Sequence, residues 1–267
     1  MSNRIPIAVH GAAGRMGQAI LRLATGDPAL RVAAAIVKEG SPRGGVALRE
    51  SSDAKERIAY SDSLDAAGDA AVLIDFSAPS GFGAALAFAR SRRIAFVSGT
   101  TGLSDPERRA MRDAAAEIPV LWSANFSLGV AVLARLARGA AKWLPEWDCE
   151  ILEAHHRGKK DAPSGTALML GRAVADARGA DLDRIASAPR TEGARDAGSI
   201  GFASLRAGDI VGEHTVTFAG DGERIELVHR AGDRDVFARG ALAAARWIVG
   251  RAPGYSALDD VLGMAPD

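Results

Sequence analysis

A chain of 267 residues, 48% of them hydrophobic, is long enough to bury one large core or two modest ones. Its 33 basic residues balance 33 acidic ones, which excludes the global field that holds nucleic acid or an anionic membrane, so any anion must be captured locally. The single cysteine, Cys149, excludes an internal disulfide and a paired-cysteine metal or redox motif.

No apolar run reaches the roughly 20 residues of a membrane span. The segment MSNRIPIAVH carries no apolar signal region ahead of its first strand, so the expected location is the cytoplasm. The basic residues are nearly all arginine, and lysine stands only at positions 38, 55, 142, 159 and 160. Arginine keeps its proton near neutral pH whereas a desolvated lysine can release one, which draws attention to the pair Lys159 and Lys160.

In chain order, short apolar runs alternate with helical stretches: IAVHG, MGQAILRLAT, RVAAAIV, AVLIDF, GFGAALAFARSR, IAFVSG, PERRAMRDAAAE and IPVLWSA. Strands that read as continuous apolar runs between helices predict a Rossmann-like, doubly wound parallel sheet with helices on both faces, an α/β fold. The stretch Glu39–Ala59, rich in glycine, serine and charge, reads as an elaborated or mobile loop.

From about Phe126 the pattern changes. A helix, SLGVAVLARLARGAAKWL, leads to a strand ending at His155, then a loop, a helix from about Thr166 to Arg178 and a polar segment through Gly198. Three strand-like runs follow, SIGFASLRA, DIVGEHTVTFA and ERIELVHRA, with Gly220, Asp221 and Gly222 as a hairpin turn between the last two. This predicts a second, α+β domain with an open mixed sheet. The closing helix FARGALAAARWIVG is apolar enough to pack back on the first domain, which places residues 1–126 and 237–267 in one domain and 127–236 in the other. Cys149, inside the strand WDCEILEAH, reads as a small buried residue.

The run GAAGRMG follows the first strand and opens a helix, the context in which a glycine motif binds a dinucleotide. Gly11 permits a tight turn, Gly14 lets backbone approach a phosphate, and Gly17 lets helix and strand pack closely, while the helix start offers its N–H groups to the pyrophosphate. At the end of the second strand, where a carboxylate would hold the adenosine ribose hydroxyls and repel a 2′-phosphate, stand Val37 and Lys38. The expected cofactor is therefore NADPH or NADH, with NADPH used at least as well. Three further strands end in polar loops on the same side: IDFSAPSG with Ser77, VSGTTG with Gly99, Thr100 and Thr101, and WSANFS with Ser123, Asn125 and Phe126. Their small and amide side chains suit a ribose and a carboxamide.

The densest chemistry lies in EAHHRGKKDAPSGTAL, residues 153–168. A strand delivers His155 and His156 to its end with side chains on opposite sides, Lys159 follows on a loop, and Ser164, Gly165 and Thr166 begin a helix whose free N–H groups form an anion pocket. Ser164 or Thr166 can cap that helix. A helix start by itself does not call for two histidines and two lysines just before it, and a carboxylate-bearing substrate accounts for both. The adjacent histidines lack the spacing of helical metal ligands, and His10, His214 and His229 show none, so no metal is expected. Histidine as general acid or base, with lysine as donor or charge clamp, fits better.

With this segment the chain resembles the 4-hydroxy-tetrahydrodipicolinate reductase (dihydrodipicolinate reductase) family. GAAGRMG, IDFSAPSG, SGTTG, SANFSLGV, EAHHRGKKDAPSGTA, IGFASLRAGDIVGEHTVTF and FARGAL carry the resemblance in order over nearly the whole chain. The resemblance implies reduction of a cyclic unsaturated dicarboxylate by NAD(P)H in the diaminopimelate route to lysine, with hydride delivered to ring C4. It implies His155 as proton donor or acceptor, Lys159 as second proton donor, and His156, Gly165 and Thr166 as the clamp on a substrate carboxylate. For the cofactor it implies Gly11, Ala12, Ala13, Gly14, Arg15 and Met16, the strand end at Val37 and Lys38, Gly99 to Thr101, and Ser123, Ala124, Asn125 and Phe126. It further implies a homotetramer built through the sheet of the second domain, making that domain one of substrate binding and oligomerisation. The apolar alternation of DIVGEHTVTF and ERIELVH permits such an interface or, equally, a cover for the domain's own helices. Val37 stands where many members carry an acidic ribose binder, which leaves NADH specificity open.

Rival readings have specific requirements. A sugar oxidoreductase would want a Glu-Lys-Pro motif where this chain has SGTTG, and a semialdehyde dehydrogenase would want a reactive cysteine where Cys149 lies inside a strand. A non-catalytic nucleotide sensor would not need His155 and Lys159 ahead of a helix-start anion pocket.

Overall fold

The computed structural model describes residues 4–48, 58–187 and 193–264. They group into two compact units, the first comprising Met1–Leu128 with Asp235–Asp267 and the second Gly129–Arg234.

In the first half of the chain the elements are β1 (Ile5–His10), α1 (Arg15–Thr25), β2 (Leu30–Ile36), β3 (Tyr60–Ser61), β4 (Val72–Asp75), α2 (Pro79–Arg92), β5 (Ala95–Ser98), α3 (Asp105–Ala114) and β6 (Pro119–Trp122). The second half runs α4 (Leu128–Trp143), β7 (Asp148–His155), α5 (Gly165–Ala177), α6 (Leu182–Ile185), β8 (Ala186–Ser187), β9 (Ile200–Arg206), β10 (Gly212–Gly220), β11 (Glu223–Ala231), α7 (Asp235–Ile248), β12 (Gly254–Ser256) and α8 (Leu258–Val261).

The first unit holds a seven-stranded sheet in the order β12-β6-β5-β4-β1-β2-β3, and every pair is parallel. The chain runs outward from β1 to β2 and β3, then returns to the other side of β1 for β4, β5, β6 and β12. The order reverses beside β1, which is where an open parallel sheet leaves a crevice beyond its carboxyl ends. On one face Phe82 and Leu86 of α2 and Met111 of α3 pack with Ala8, Leu73 and Phe96 of the sheet. Helices α1 and α7 pack together. Strand β4 is buried at all four positions, Val72 to Asp75, which is why it reads as an unbroken apolar run.

Of the loop expected over Glu39–Ala59, residues 49–57 lie outside the described residues. The rest folds back on itself: the Gly45 N–H donates to the Tyr60 carbonyl at 2.8 Å, and the Tyr60 N–H donates to that of Val46 at 2.9 Å. Of the polar segment expected through Gly198, residues 188–192 also lie outside.

The second unit holds a five-stranded sheet in the order β11-β10-β7-β9-β8. Strand β10 runs antiparallel to β7 and β11, while β7 and β8 each run parallel to β9, so the sheet is mixed as expected. Leu133 and Ala137 of α4 and Leu170 and Val174 of α5 form its core with Cys149, Ile151, Phe202, Val216 and Phe218. Along β10 the alternation is half buried: His214, Val216 and Phe218 face the core, and Thr215 and Thr217 do not. Asp221 and Gly222 make the two-residue turn into β11, with Gly222 in the left-handed region at φ 82°. On the opposite face Leu152, Leu205 and Val228 stand exposed. Cys149 is fully buried, and burial pushes its thiol up to about 12, far from a reactive thiolate.

Candidate active site

In the first unit the glycine turn closes β1 against α1. Gly11 has φ 78°, and a Cβ there would lie 2.4 Å from the carbonyl oxygen of Phe76, where β4 leaves the sheet. A Cβ on Gly17 would lie 2.4 Å from the Gly11 carbonyl oxygen and 2.6 Å from Ala12 Cα. Neither contact can be relieved by a rotamer change, because both partners are backbone. Gly14 is the N-cap of α1 and offers no side-chain cap bond, so the amides that open the helix are left for an external acceptor. These features fit a pyrophosphate. Ala13, Gly14 and Arg15 are exposed, Met16 is half-buried, and Ala12 is buried with its N–H donated to the Ile36 carbonyl at 2.9 Å.

Val37, just past β2, is buried and its N–H donates to Ser61, whereas Lys38 is exposed. Arg43 lies by the same end of α1: its guanidinium donates to Gln18 Oε1 at 3.0 Å and sits 5.7 Å from the centre of the Tyr60 ring. Gln18 in turn donates to the Ala12 carbonyl at 2.7 Å and to the Tyr60 hydroxyl at 2.6 Å. No motif marked Arg43, which reaches this place through the loop after β2.

Beyond β4 and β5, the buried carboxylate of Asp75 ties the neighbouring loops together. It meets His10 Nδ1 at 2.9 Å and accepts from Ser98 Oγ at 2.9 Å, Thr100 Oγ1 at 2.8 Å and the Ser77 N–H at 3.2 Å. Burial works against its charge, but the hydrogen bonds from His10, Ser77 and Thr100 outweigh that and hold the carboxyl below its ordinary range. The Thr100 hydroxyl is thus committed inward, and Thr101 is exposed beside it. After β6, Ser123 Oγ donates to the Asn125 carbonyl at 2.6 Å, and Asn125 Oδ1 accepts from the Ser127 N–H at 2.8 Å, a turn that shapes the loop Ser123–Phe126. Ala124 at its tip is exposed, and the Phe126 ring is buried against Phe76 at 5.3 Å. The expected cofactor residues therefore all lie in the first unit, on its turns and strand ends and at the start of α1.

In the second unit β7 places Cys149, Ile151, Glu153 and His155 on its helix-covered face by simple alternation. Glu153 is fully buried and surrounded by donors. Its Oε1 accepts from Arg206 at 2.6 Å, Ser204 Oγ at 2.7 Å and the Ser164 N–H at 3.1 Å, and its Oε2 meets His155 Nδ1 at 2.5 Å and Arg206 at 2.8 Å. Burial raises the carboxyl, but the hydrogen bonds from Arg206, Ser204 and His155 win and hold it at about 2. His155 is lowered from its ordinary value, first by burial; Glu153 opposes that, and the charges of Lys159 and Arg206 add to it.

Ser164, not Thr166, caps α5, its Oγ accepting from the Ala167 N–H at 3.1 Å. Ser164 Oγ also lies 3.3 Å from His214 Nε2. Thr166 and Gly165 form the first turn, and open space surrounds the position a Gly165 Cβ would take. His156 lies past the strand end, 3.4 Å from an Arg234 guanidinium nitrogen. Lys159 Nζ sits 2.9 Å from Asp161. The structure thus joins the start of α5 to the end of β7 through Glu153, and adds Glu153, Arg206, His214 and Arg234, which no motif singled out. Among the described residues no group of three or more histidine, cysteine or acidic side chains is arranged to hold a metal, and no helix is long and apolar enough to cross a membrane.

A parallel sheet with a glycine turn where its strand order reverses, followed in the chain by a mixed sheet whose central strand runs into a histidine and lysine segment, defines a two-unit oxidoreductase with a nicotinamide cofactor. The family model for the N-terminus of dihydrodipicolinate reductase matches residues 5–126, and that for its C-terminus matches residues 129–262. The chain belongs to the dihydrodipicolinate reductase family. A 4-hydroxy-tetrahydrodipicolinate reductase of Xanthomonas euvesicatoria pv. vesicatoria (strain 85-10) is 48% identical over 261 residues, covering 98% of this chain and 99% of the relative. One of Stenotrophomonas maltophilia (strain K279a) is 50% identical over 263 residues, covering 97% and 99%. Among solved structures, a dipicolinate-bound dihydrodipicolinate reductase from Paenisporosarcina sp. TG-14 shares the fold with a TM-score of 0.77 at 22% identity, covering 95% of this chain and 97% of its own.

Proposed function

We propose that this chain reduces 4-hydroxy-tetrahydrodipicolinate to tetrahydrodipicolinate, in the diaminopimelate route to lysine, with NADPH or NADH as reductant. The relatives that cover nearly its whole length carry the name of that activity. The observation that carries the chemistry is the bond from the Ser164 N–H to Glu153, which ties the anion-receptive start of α5 to the strand that ends in His155.

A bound reduced nicotinamide would supply a hydride. The turn Gly11–Met16, Lys38, and the loops Gly99–Thr101 and Ser123–Phe126 would hold it, with Val37 shaping the strand end. In the second unit His156, Gly165 and Thr166 bind a substrate carboxylate at the opening turn of α5. Loss of water from the hydroxylated ring breaks the C4–O bond and a C–H bond on the adjacent ring carbon, the proton leaving with the hydroxyl, and gives a conjugated imine. Hydride addition at C4 then drives an electron pair along that system, and a proton from His155 or Lys159 takes it up. Cationic groups around a ring that gains negative charge stabilise the transition state more than the ground state. Domain limits at 1–126 with 237–267 and at 127–236 serve this division of labour, and we further propose that the enzyme is a cytoplasmic homotetramer.

The test is oxidation of NADPH at 340 nm with substrate generated freshly from pyruvate and aspartate semialdehyde. His155→Ala and Lys159→Ala should each lower kcat by about 10²-fold or more. Near-normal turnover in both variants would overturn the roles of these residues, and no turnover in the wild type would overturn the activity.

A further inference from the structure

Among the described residues, every hydrogen-bond partner of the Glu153 carboxylate can donate: both terminal nitrogens of Arg206, the Ser204 hydroxyl, the Ser164 amide and His155 Nδ1. A carboxylate used only to anchor β9 and α5 to β7 needs the first three partners. The Oε2 contact with His155 Nδ1, at 2.5 Å, adds something else, because it decides which ring nitrogen carries the proton of neutral His155. With Nδ1–H donated to Glu153, Nε2 is the nitrogen left for chemistry. The chain clears room there: a Cβ on Gly212 would lie 3.1 Å from His155 Nε2.

We propose that Glu153 is the positioning residue of the acid–base centre: it fixes His155 through Nδ1, presents Nε2 to the substrate, and offsets the positive charge that appears when Nε2 takes a proton. Arg206 keeps Glu153 ionised by holding both of its oxygens. The proposal rests on the reading of His155 as the acid–base group. Four groups face that histidine: Glu153 on its own strand, Lys159 on the following loop, Arg206 on β9 and His214 on β10. Only Glu153 favours the imidazolium, since the others are cations or a second imidazole. Without the carboxylate, protonation of His155 becomes harder and the proton cannot be passed near neutral pH.

The wild-type enzyme provides the first test, by nitrogen-15 NMR of its histidine rings. Neutral His155 should carry its proton on Nδ1 and none on Nε2; the opposite tautomer would overturn the proposal without any variant having to fold. The second test is the pH profile of kcat in Glu153→Gln, with folding checked by circular dichroism. We expect kcat at pH 7.5 to fall by roughly 10²-fold, and the limb that reports His155 to move to lower pH by about one unit or more. KM for the dicarboxylate should change by less than about threefold, because the glutamine amide oxygen can still accept from the Ser164 N–H and hold the start of α5 in place. Glu153→Asp keeps the charge and should restore the limb toward its wild-type position. A folded Glu153→Gln enzyme with the wild-type limb would show a structural carboxylate only. If His155→Ala itself turns over normally, the reading of His155 fails; if that variant is inactive while Glu153→Gln keeps the wild-type limb, Glu153 alone has been misassigned.

Discussion

The His214 ring meets that of His155 edge-on, with centroids 5.2 Å apart and planes at 76°. His214 is 4% exposed, and burial first, then the like charges of His155 and His229, pushes it down to about 4. Its ordinary value is near 6.5 in an unfolded chain. Between those values the unfolded state binds the extra proton, so stability rises with pH across that window and is lost as pH falls through it. The loss attached to His214 is roughly 3 kcal/mol once the pH lies below both values. Urea unfolding at pH 7 and at pH 4.5 should therefore show a falling midpoint in the wild type and a smaller fall in His214→Gln. Equal falls in both proteins would remove His214 as the cause.

The glycine turn yields a contrast in stability. Gly17→Ala drives a Cβ to within 2.4 Å of fixed backbone and should cost about 3 kcal/mol or more, together with the cofactor site. Gly83, exposed within α2, has nothing within 4 Å of its would-be Cβ, so Gly83→Ala should instead stabilise by roughly 0.5–1 kcal/mol. Thermal melts of the two variants beside wild type should move in opposite directions. A Gly17→Ala protein that melts with wild type would show that the turn can relax.

Sequence pattern revealed the long elements because their burial is periodic, and it missed those whose pattern is too short to have a period. β3 and β8 have two residues each and β12 three; they exist because neighbouring strands offer them an edge. The histidine and lysine segment was legible as local chemistry. Glu153 opens that segment yet carried no role there, because its part depends on the strand alternation that sets it on the same face as Cys149 and Ile151 and on the partners it meets in the fold. Its main partner, Arg206, lies 53 residues away, a separation that no local spacing rule spans. Asp75 escaped notice likewise, as a carboxylate closing an apolar strand whose side-chain partners come from the ends of two other strands, β1 and β5.

Cofactor choice should follow the cations at the end of β2. Buried Val37 offers no carboxylate to the adenosine ribose, and exposed Lys38 and the pinned Arg43 are both positive. We expect kcat/KM for NADPH to equal or exceed that for NADH. Lys38→Ala should lower the NADPH value by about tenfold, about 1.4 kcal/mol, and leave the NADH value nearly unchanged. A strong NADH preference in the wild type would defeat this account.

The uncovered face of the second sheet bears on assembly. Leu152, Leu205 and Val228 are 50%, 49% and 44% exposed. They share a face by register, since Leu152 and Val228 both pair with Thr215, and Leu152 pairs with Ala203, two residues before Leu205. Ile151 and Val216, on the other face of the sheet, pack into the core against the helices, so this second apolar row lies on the face turned away from them. Covering each such side chain gains on the order of 1 kcal/mol, and a repeated contact across a symmetric pair doubles that number. Sedimentation of the wild type should give a homotetramer, and Leu152→Glu should give smaller species with little change in the urea midpoint of the second unit. A wild-type monomer at micromolar concentration would rule out the sheet-mediated assembly, and an intact Leu152→Glu tetramer would move the interface to another face.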